Sequence, residues 1–230
     1  MLETVLVNVV MPLGILAMFV AGGIAFYQRD LKRMLAFSSV SQIGYILVGL
    51  SFMSSKGLTA AIIHLFNHGI TKGLLFMCAG VIFLRYKTSF YKEISGLGRI
   101  MPWTSAAFLI GGLSLIGIPG TAGFISKWIL VQAALEQGSW LIALAILLSS
   151  LIAVLYVWQV TEIMYFGNSS KKGSDISVGP FSYITIWILA GATIFFGLST
   201  SFTLEYSSDC LLYTSPSPRD QRGSRMPSCA

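Results

Sequence analysis

The chain has 230 residues, of which 55% are hydrophobic and 10% are charged, and its mean hydropathy is +0.77. A soluble domain carries about 25% charged residues, so the composition excludes a soluble domain and indicates a protein that crosses the lipid bilayer several times. The formal net charge is +6, but the basic residues are distributed over several loops. Nucleic-acid binding is therefore a poor explanation for them.

Six long apolar runs predict the membrane spans. Each exceeds the roughly 20 residues that a helix needs to cross the hydrocarbon core, and their only charged residues are Lys72 and Lys127. In chain order they cover residues 4–28, 34–55, 57–84, 100–134, 138–161 and 176–204. The fourth run is too long for one plain span and contains a Gly/Pro-rich stretch from Gly117 to Gly123. We expect its helix to be broken in the middle.

The basic residues of the loops predict the orientation in the membrane. Six spans place successive loops on alternate sides of the membrane. Of the basic residues in these loops, leaving out the C-terminal tail, only Lys56 falls on one side and all the others fall on the opposite side. These others are Arg29, Lys32, Arg33, Arg85, Lys87, Lys92, Arg99, Lys171 and Lys172. Cytoplasmic loops carry an excess of lysine and arginine, so the pattern predicts an N-terminus outside the cell.

The second span is polar near its start. Ser38, Ser39, Ser41 and Gln42 follow the basic cluster that contains Lys32. These side chains either line a wet passage or help neighbouring helices to pack, because small polar residues do both in membranes.

The third span carries a polar stripe. A helix turns about 100° per residue, which places His64, Asn67, His68, Thr71 and Lys72 on one side of an otherwise apolar helix. An ionisable group at membrane depth costs about 2.5–3.5 kcal/mol on insertion scales. Such groups seldom persist without a function or a partner, so the stripe is the strongest functional clue in the chain.

Three interpretations of the stripe are open. Imidazole accepts a proton on one nitrogen and releases one from the other, so His64, His68 and Lys72 together suit a proton relay if water enters the bundle. A metal site is a second interpretation, because histidines four residues apart are a ligand spacing. Against it, no acidic residue lies between them and an ammonium would repel the metal. In the third, the histidines only hydrogen-bond neighbouring helices.

Lys127 follows the Gly/Pro break and lies near the start of the second half-helix. Irregular backbone occurs at membrane depth only where protein or water satisfies it, and the ends of half-helices handle ions in transporters. We expect the positive end of the half-helix dipole to lie beside this lysine. The alternative is a lysine that extends to the interface at a span end, which Trp128 and the nearby Glu136 would suit.

Cysteines and the C-terminal tail carry no functional signal. Cys78 lies within a span, and no cysteine spacing of a cluster, haem or metal site is present, so we expect no cofactor and no metal. The tail turns abruptly polar, and Cys210–Asp220 resembles the translation of a sequencing-library adapter. Residues 206–230 are therefore interpreted as an artefact or, alternatively, as a disordered tail.

Four stretches resemble the proton-antiporter module shared by respiratory complex I and Mrp-type sodium/proton antiporters. They are RDLKRMLAFSSVSQIGYI at 29–46, HLFNHGITKGLLF at 64–76, LGRIMPW at 97–103 and GIPGTAGFISKW at 117–128. Their order and number make the resemblance specific. Around both lysines, the chain looks most like the D subunit of Mrp antiporters, while the antiporter-like subunits of complex I and of membrane-bound hydrogenases are close alternatives.

The resemblance implies roles for individual residues. Lys72 with His64 and His68 would be the proton relay, Lys127 the terminal lysine that faces the far-side exit, and Lys32 the lysine at the cytoplasmic entry. The implied partners are other membrane subunits of an Mrp or complex I-like assembly in a prokaryotic plasma membrane. Sodium as a second transported ion stays open, and no catalytic chemistry is expected in this chain.

The chain departs from that family in length. Family members have about fourteen helices in two inverted repeats, whereas this chain offers six spans and lacks the first-repeat glutamate and lysine pair. We therefore expect a fragment: an all-α membrane bundle in which residues 1–205 form part of the second repeat plus one further helix. Two other classes are kept as alternatives. A metal-dependent intramembrane hydrolase would need acidic ligands within the spans, and a structural subunit would only pair its buried charges.

Overall fold

The computed structural model describes residues 2–167 and 179–199. The predicted tail at 206–230, together with Lys171 and Lys172, lies outside these described residues. Within them every regular element is a helix, so the predicted all-α class is confirmed. The helices are α1 (Leu2–Val5), a π-helical turn (Leu6–Val10), α2 (Met11–Tyr27), α3 (Leu31–Ser51), α4 (Ser55–Tyr86), α5 (Leu97–Ile100), α6 (Pro102–Ile116), α7 (Ala122–Glu136), α8 (Trp140–Phe166) and α9 (Pro180–Leu198).

Five helical segments of the described chain are long and apolar enough to cross a membrane. They are Glu3–Tyr27, Leu31–Ser51, Ser55–Tyr86, Trp140–Phe166 and Pro180–Leu198. The fourth predicted span is divided into α6 and α7 at the predicted Gly/Pro stretch. The division of this run into two helices matches the predicted break.

Local sequence explains where the central helices begin and end. The Asp30 carboxylate accepts from the Arg33 amide at 2.9 Å and caps α3, and the Ser54 hydroxyl accepts from the Gly57 amide at 3.1 Å and caps α4. Both contacts satisfy amides that have no partner within the first helical turn. At the other end of α4, Lys87 adopts a left-handed conformation with φ of 55° and stops the helix.

Contacts between loops define two opposite ends of the bundle. At one end, the Leu31 amide donates to the Ser89 carbonyl at 2.9 Å, which joins the α2–α3 connection to the segment after α4. At the other end, Lys56 forms an ion pair with Glu136, and the Gln137 side chain donates to the Phe52 carbonyl at 2.6 Å. Apart from Lys56, the described basic residues that lie outside the predicted spans belong to the first end or its flanks, as the sequence predicts.

Helix α4 occupies the centre of the bundle, where it packs against α3, α6, α7 and α9. Its apolar residues Leu74 and Leu75 join Leu35 of α3, Phe108 of α6 and Tyr156 of α8 in one buried core. The polar stripe of α4 is therefore enclosed by other helices, while residues such as Leu16 on α2 and Leu151 on α8 face outward.

Helices α2 and α3 cross closely at two glycines. A Cβ atom added at Gly44 would lie 2.5 Å from the Gly14 carbonyl oxygen and 2.7 Å from Met18 Cγ. Backbone cannot move aside without shifting the whole helix, so this crossing needs glycine.

We therefore expect Gly44→Ala to destabilise the bundle by about 1–3 kcal/mol, the usual effect of overpacking. Gly80→Ala is the matched control, because a Cβ atom there meets nothing within 4 Å and alanine is the better helix former by up to about 1 kcal/mol. Denaturant titration of the purified complete subunit in mixed micelles measures both changes. Equal stability of the two variants would contradict the close crossing.

Candidate functional site

Lys72 lies at the centre of the site and is 6% exposed. Its ammonium donates to the Leu35 carbonyl at 2.9 Å and to the Ser38 hydroxyl at 2.5 Å, both on α3. The Ser38 hydroxyl in turn donates to the same Leu35 carbonyl at 2.9 Å. Lys72 is thus held by neutral oxygen acceptors, and one of them is among the serines expected either to line a wet passage or to help helices pack.

His64 and His68 lie one turn apart with nearly parallel rings, whose centroids are 6.2 Å apart. His64 is buried and its Nδ1 lies 2.9 Å from the Ser126 hydroxyl on α7. Ser126 also donates to the Gly123 carbonyl at 3.3 Å. Since a hydroxyl has a single hydrogen to donate, Ser126 accepts from His64, which puts the proton of neutral His64 on Nδ1 and the lone pair on Nε2.

The middle of the stripe holds the broken helix in place. Asn67 donates to the Ala122 carbonyl at 2.7 Å, and the Thr71 hydroxyl lies 2.9 Å from the Ser114 hydroxyl on α6. Ser114 also accepts from the Gly123 amide at 3.1 Å. Polar backbone exposed by the break is therefore satisfied by side chains of α4 and α6, as the membrane interior requires.

Lys127 is also 6% exposed, and its ammonium spans the break from α7 to α6. It donates to the carbonyls of Leu115 and Ile116 at 2.9 and 3.0 Å and lies 4.6 Å from the ring centroid of Tyr45. The Tyr45 ring also lies beside His64, with centroids 5.4 Å apart. Tyr45 therefore lies between Lys127 and His64.

These contacts correct the sequence expectation about the helix dipole. Lys127 was expected beside the positive end of the second half-helix, but it is the sixth residue of α7 and its ammonium lies at the C-terminal carbonyls of α6. The last carbonyls of a helix carry the negative end of the dipole, and lysine commonly binds them. The expectation was wrong because the side chain extends across the break to the preceding half-helix.

Lys32 lies away from the other candidate residues. Its ammonium is 3.3 Å from the ring centroid of Phe83, and Phe83 follows Lys72 by eleven residues, which is about 16 Å along a helix. The neighbouring Asp30 accepts from the Ser89 hydroxyl at 2.5 Å. Burial raises the pKa of the nearby Tyr91 phenol, and the Asp30 carboxylate raises it further.

A small cavity lies beside His64 and His68. Its volume is about 10 Å³, and it is lined by Gln42, His64, Asn67, His68, Thr71, Ser114, Leu115 and Gly123. The lining comes from α3, α4, α6 and α7, so this cavity is the place where the polar stripe meets the broken helix. Among the described residues, no group of three His, Cys, Asp or Glu side chains comes close enough together to hold a metal ion.

Comparison with known proteins identifies relatives of the chain. The family model described as NADH:quinone oxidoreductase/Mrp antiporter, TM, matches residues 1–153. Subunit N of NADH-quinone oxidoreductase from Desulforudis audaxviator is 38% identical over 168 residues, which are 70% of this chain and 34% of that protein. Component B of hydrogenase-4 from Escherichia coli is 41% identical over 130 residues, which are 52% of this chain and 19% of that protein.

A solved structure shares the fold of this chain. A chain in the Mrp complex from Dietzia sp. DQ12-45-1b superposes with a TM-score of 0.82 and 25% identity, covering 92% of this chain and 48% of that one. The chain thus spans about a third of the length of the first curated relative and about half of the structural one. These relatives confirm the family-level resemblance of the four motifs, while the finer likeness to one particular Mrp protein stays a prediction.

We expect Thr71→Val to destabilise the contact between α4 and α6. Valine has nearly the shape of threonine but cannot hydrogen-bond Ser114, and an interhelical hydrogen bond in a membrane contributes about 0.6–1.7 kcal/mol. Denaturant titration in mixed micelles measures the free energy of unfolding. The matched control is Thr185→Val on α9, because that exposed hydroxyl donates only to the Phe181 carbonyl of its own helix. The same loss in both variants would contradict the proposed contact.

Proposed function

Because the chain belongs to the NADH:quinone oxidoreductase/Mrp antiporter transmembrane family, we propose that it is the proton-translocating part of an antiporter-like membrane subunit. Lys72, His64, His68 and Lys127 form the proton relay in this proposal, and Lys32 lies at the cytoplasmic entry. Residues 1–205 act as one transmembrane domain. The transported ion is the proton, and sodium is a second candidate because the family includes Mrp antiporters.

The observation that supports the proposal most directly is the kind of partner at each buried lysine. In the described chain, Lys72 and Lys127 contact carbonyl and hydroxyl oxygens, and Lys127 also contacts the Tyr45 ring. A buried lysine paired with a carboxylate would remain charged for structural reasons. Neutral acceptors stabilise an ammonium and still permit the amine to lose its proton.

The order of groups along the bundle suggests a route. Protons would enter from the cytoplasm near Lys32, reach Lys72 through water beside the polar start of α3, and pass by His68 and His64 to Lys127. Each lysine would alternate between charged and neutral forms. Repulsion between successive positive charges would drive the proton onward, since charges interact strongly where water is scarce.

The parent assembly has two candidates. An Mrp antiporter is favoured by the resemblance around both lysines. A complex I-like or hydrogenase-like assembly is favoured by the identity to subunit N and to hydrogenase-4 component B. In either case the partners are further membrane subunits, and any redox chemistry belongs to them.

The proposed location is a prokaryotic plasma membrane with the N-terminus outside. The basic residues at the Asp30–Ser89 end of the bundle support this orientation, because cytoplasmic loops are enriched in lysine and arginine. Lys56 alone lies at the opposite end among the described basic residues outside the spans.

We expect Lys72→Met and Lys127→Met to reduce proton transport at least about a hundredfold, the usual contribution of a positioned proton-transfer group. Lys72→Arg and Lys127→Arg should fail as well, because arginine keeps the charge but cannot be deprotonated in a protein. The measurement is proton movement in inverted membrane vesicles that contain the complete subunit with its partner subunits. A native gel shows whether each variant assembles.

Lys87→Met is the matched control, since Lys87 is an exposed lysine at the end of α4, and it should transport at the wild-type rate. Wild-type transport by an assembled Lys72→Met or Lys127→Met variant would refute the relay. Normal transport by the arginine variants alone would show that these lysines supply a fixed charge.

A further inference from the structure

A groove runs along one side of α7, between the start of α4 and the end of α9. Its volume is about 800 Å³. Lys127 does not line this groove, because its side chain extends to the carbonyls of α6 instead. The groove is therefore separate from the residues of the candidate relay.

The deep end of the groove lies at the break between α6 and α7 and is apolar. The last turn of α9 packs tightly against the break, since a Cβ atom added at Gly197 would lie 2.5 Å from the Gly120 carbonyl oxygen. From there the rings of Phe124 and Trp128 form one wall, nearly parallel and with centroids 5.9 Å apart. The Trp128 side chain is 53% exposed, so this wall is open to an apolar ligand.

The other end of the groove is charged. Lys56 at the start of α4 and Glu136 at the end of α7 both line it, and they form the ion pair described above. Within the described chain, this pair uses one of the three N–H groups of Lys56 and one of the two carboxylate oxygens of Glu136. Both side chains can therefore still bind a ligand.

The length of the groove matches one leaflet of a bilayer. Phe124 and Glu136 are twelve residues apart, which is about 18 Å along a helix. Half of a bilayer, with its headgroup region, is about 20–22 Å thick. A groove that is apolar toward the middle of the membrane and charged at its surface has the polarity gradient of a phospholipid.

The two charges indicate which headgroup fits. The side chain of Lys56 is 36% exposed and that of Glu136 is 60% exposed, so the cation is the more enclosed of the two. In phosphatidylethanolamine the phosphate is attached to the glycerol, and the primary ammonium lies further out. The phosphate therefore faces Lys56 and the ammonium faces Glu136. An anionic phospholipid such as phosphatidylglycerol would offer no cation to Glu136.

We propose that this groove is a binding site for one phosphatidylethanolamine molecule. Lys56 donates to the phosphate, Glu136 accepts from the ammonium, and an acyl chain lies against Phe124 and Trp128. Hydrogen bonds between charged groups are the stronger ones, so the headgroup contacts give the site its specificity. The site does not depend on the proposed proton relay, because the two share no residue.

Native mass spectrometry of the complete subunit in its membrane complex tests the site. The complex is delipidated in detergent and titrated separately with phosphatidylethanolamine, phosphatidylcholine and phosphatidylglycerol. We expect phosphatidylethanolamine to bind about tenfold more tightly than the other two, which corresponds to one hydrogen bond to a charged group. Choline has no N–H group to donate to Glu136, and glycerol has no positive charge.

Three variants assign the contacts. Glu136→Gln should abolish the preference for ethanolamine over choline, whereas Lys56→Met should weaken the binding of all three lipids. The double variant Lys56→Glu with Glu136→Lys keeps an ion pair at this position but reverses its polarity. It should also lose the preference, which separates a contact with lipid from a merely structural ion pair.

Lys87→Met and Glu162→Gln are the matched controls. Both side chains are exposed and neither lines the groove, so these variants should keep the wild-type preference. A density map of the wild-type complex in a membrane that contains phosphatidylethanolamine should show a lipid in the groove, with its phosphate beside Lys56.

Three results would overturn the proposal. They are a wild-type complex that binds the three lipids equally, a preference for ethanolamine that survives in the double variant, and a map in which a protein helix fills the groove. The titration and the map of the wild-type complex decide the matter even if a variant fails to assemble. Neither measurement depends on transport, so a failure of the relay would leave this result intact.

Discussion

Two lysine ammonium groups are buried inside a helical bundle whose outer surface faces lipid, and the structure depends on how these two charges are accommodated. Each is enclosed by helices and bound by carbonyl or hydroxyl oxygens, on α3 for Lys72 and on α6 for Lys127. An isolated charge in hydrocarbon is expensive, and these hydrogen bonds offset part of that cost. Because the acceptors are neutral, they stabilise the charge without fixing it permanently.

The broken helix follows from the same constraint. An unbroken helix would bond its own carbonyls, whereas the interruption between α6 and α7 frees Leu115 and Ile116 to accept from Lys127. The amides and carbonyls on the other side of the break then need partners, and Asn67 and Ser114 supply them. The polar residues of α4 thus serve two purposes, since some could carry protons and others hold the break together.

Much of this arrangement could be predicted from the sequence because its signals are local. The five long apolar helices and the position of the break follow from apolar length and from Gly/Pro content. Helical periodicity alone placed the five polar residues of α4 on one side, and four of them are buried while His68 is partly buried. The resemblance of four motifs supplied the family and the candidate roles of the lysines.

The partners of those residues could not be predicted, because they lie far away in the sequence. Ser126 beside His64, Ser114 beside Thr71 and Tyr45 beside Lys127 come together only through packing between helices. The expectation that Lys127 lies at the positive end of a helix dipole was wrong for the same reason, because its side chain reaches the C-terminal carbonyls of the neighbouring half-helix α6. The sequence did single out the stretch that contains Tyr45 and Gln42, because both belong to the family-like motif at residues 29–46, but it did not indicate what they contact.

The most direct test of the account is the protonation state of the Lys72 amine during transport. Nitrogen-15 magnetic resonance of lysine-labelled complex in membranes, with Lys72→Met used to assign the signal, distinguishes a charged ammonium from a neutral amine. The account predicts that both forms are populated while an ion gradient is maintained across the membrane. A signal that remains that of a charged ammonium under every condition of turnover would contradict it.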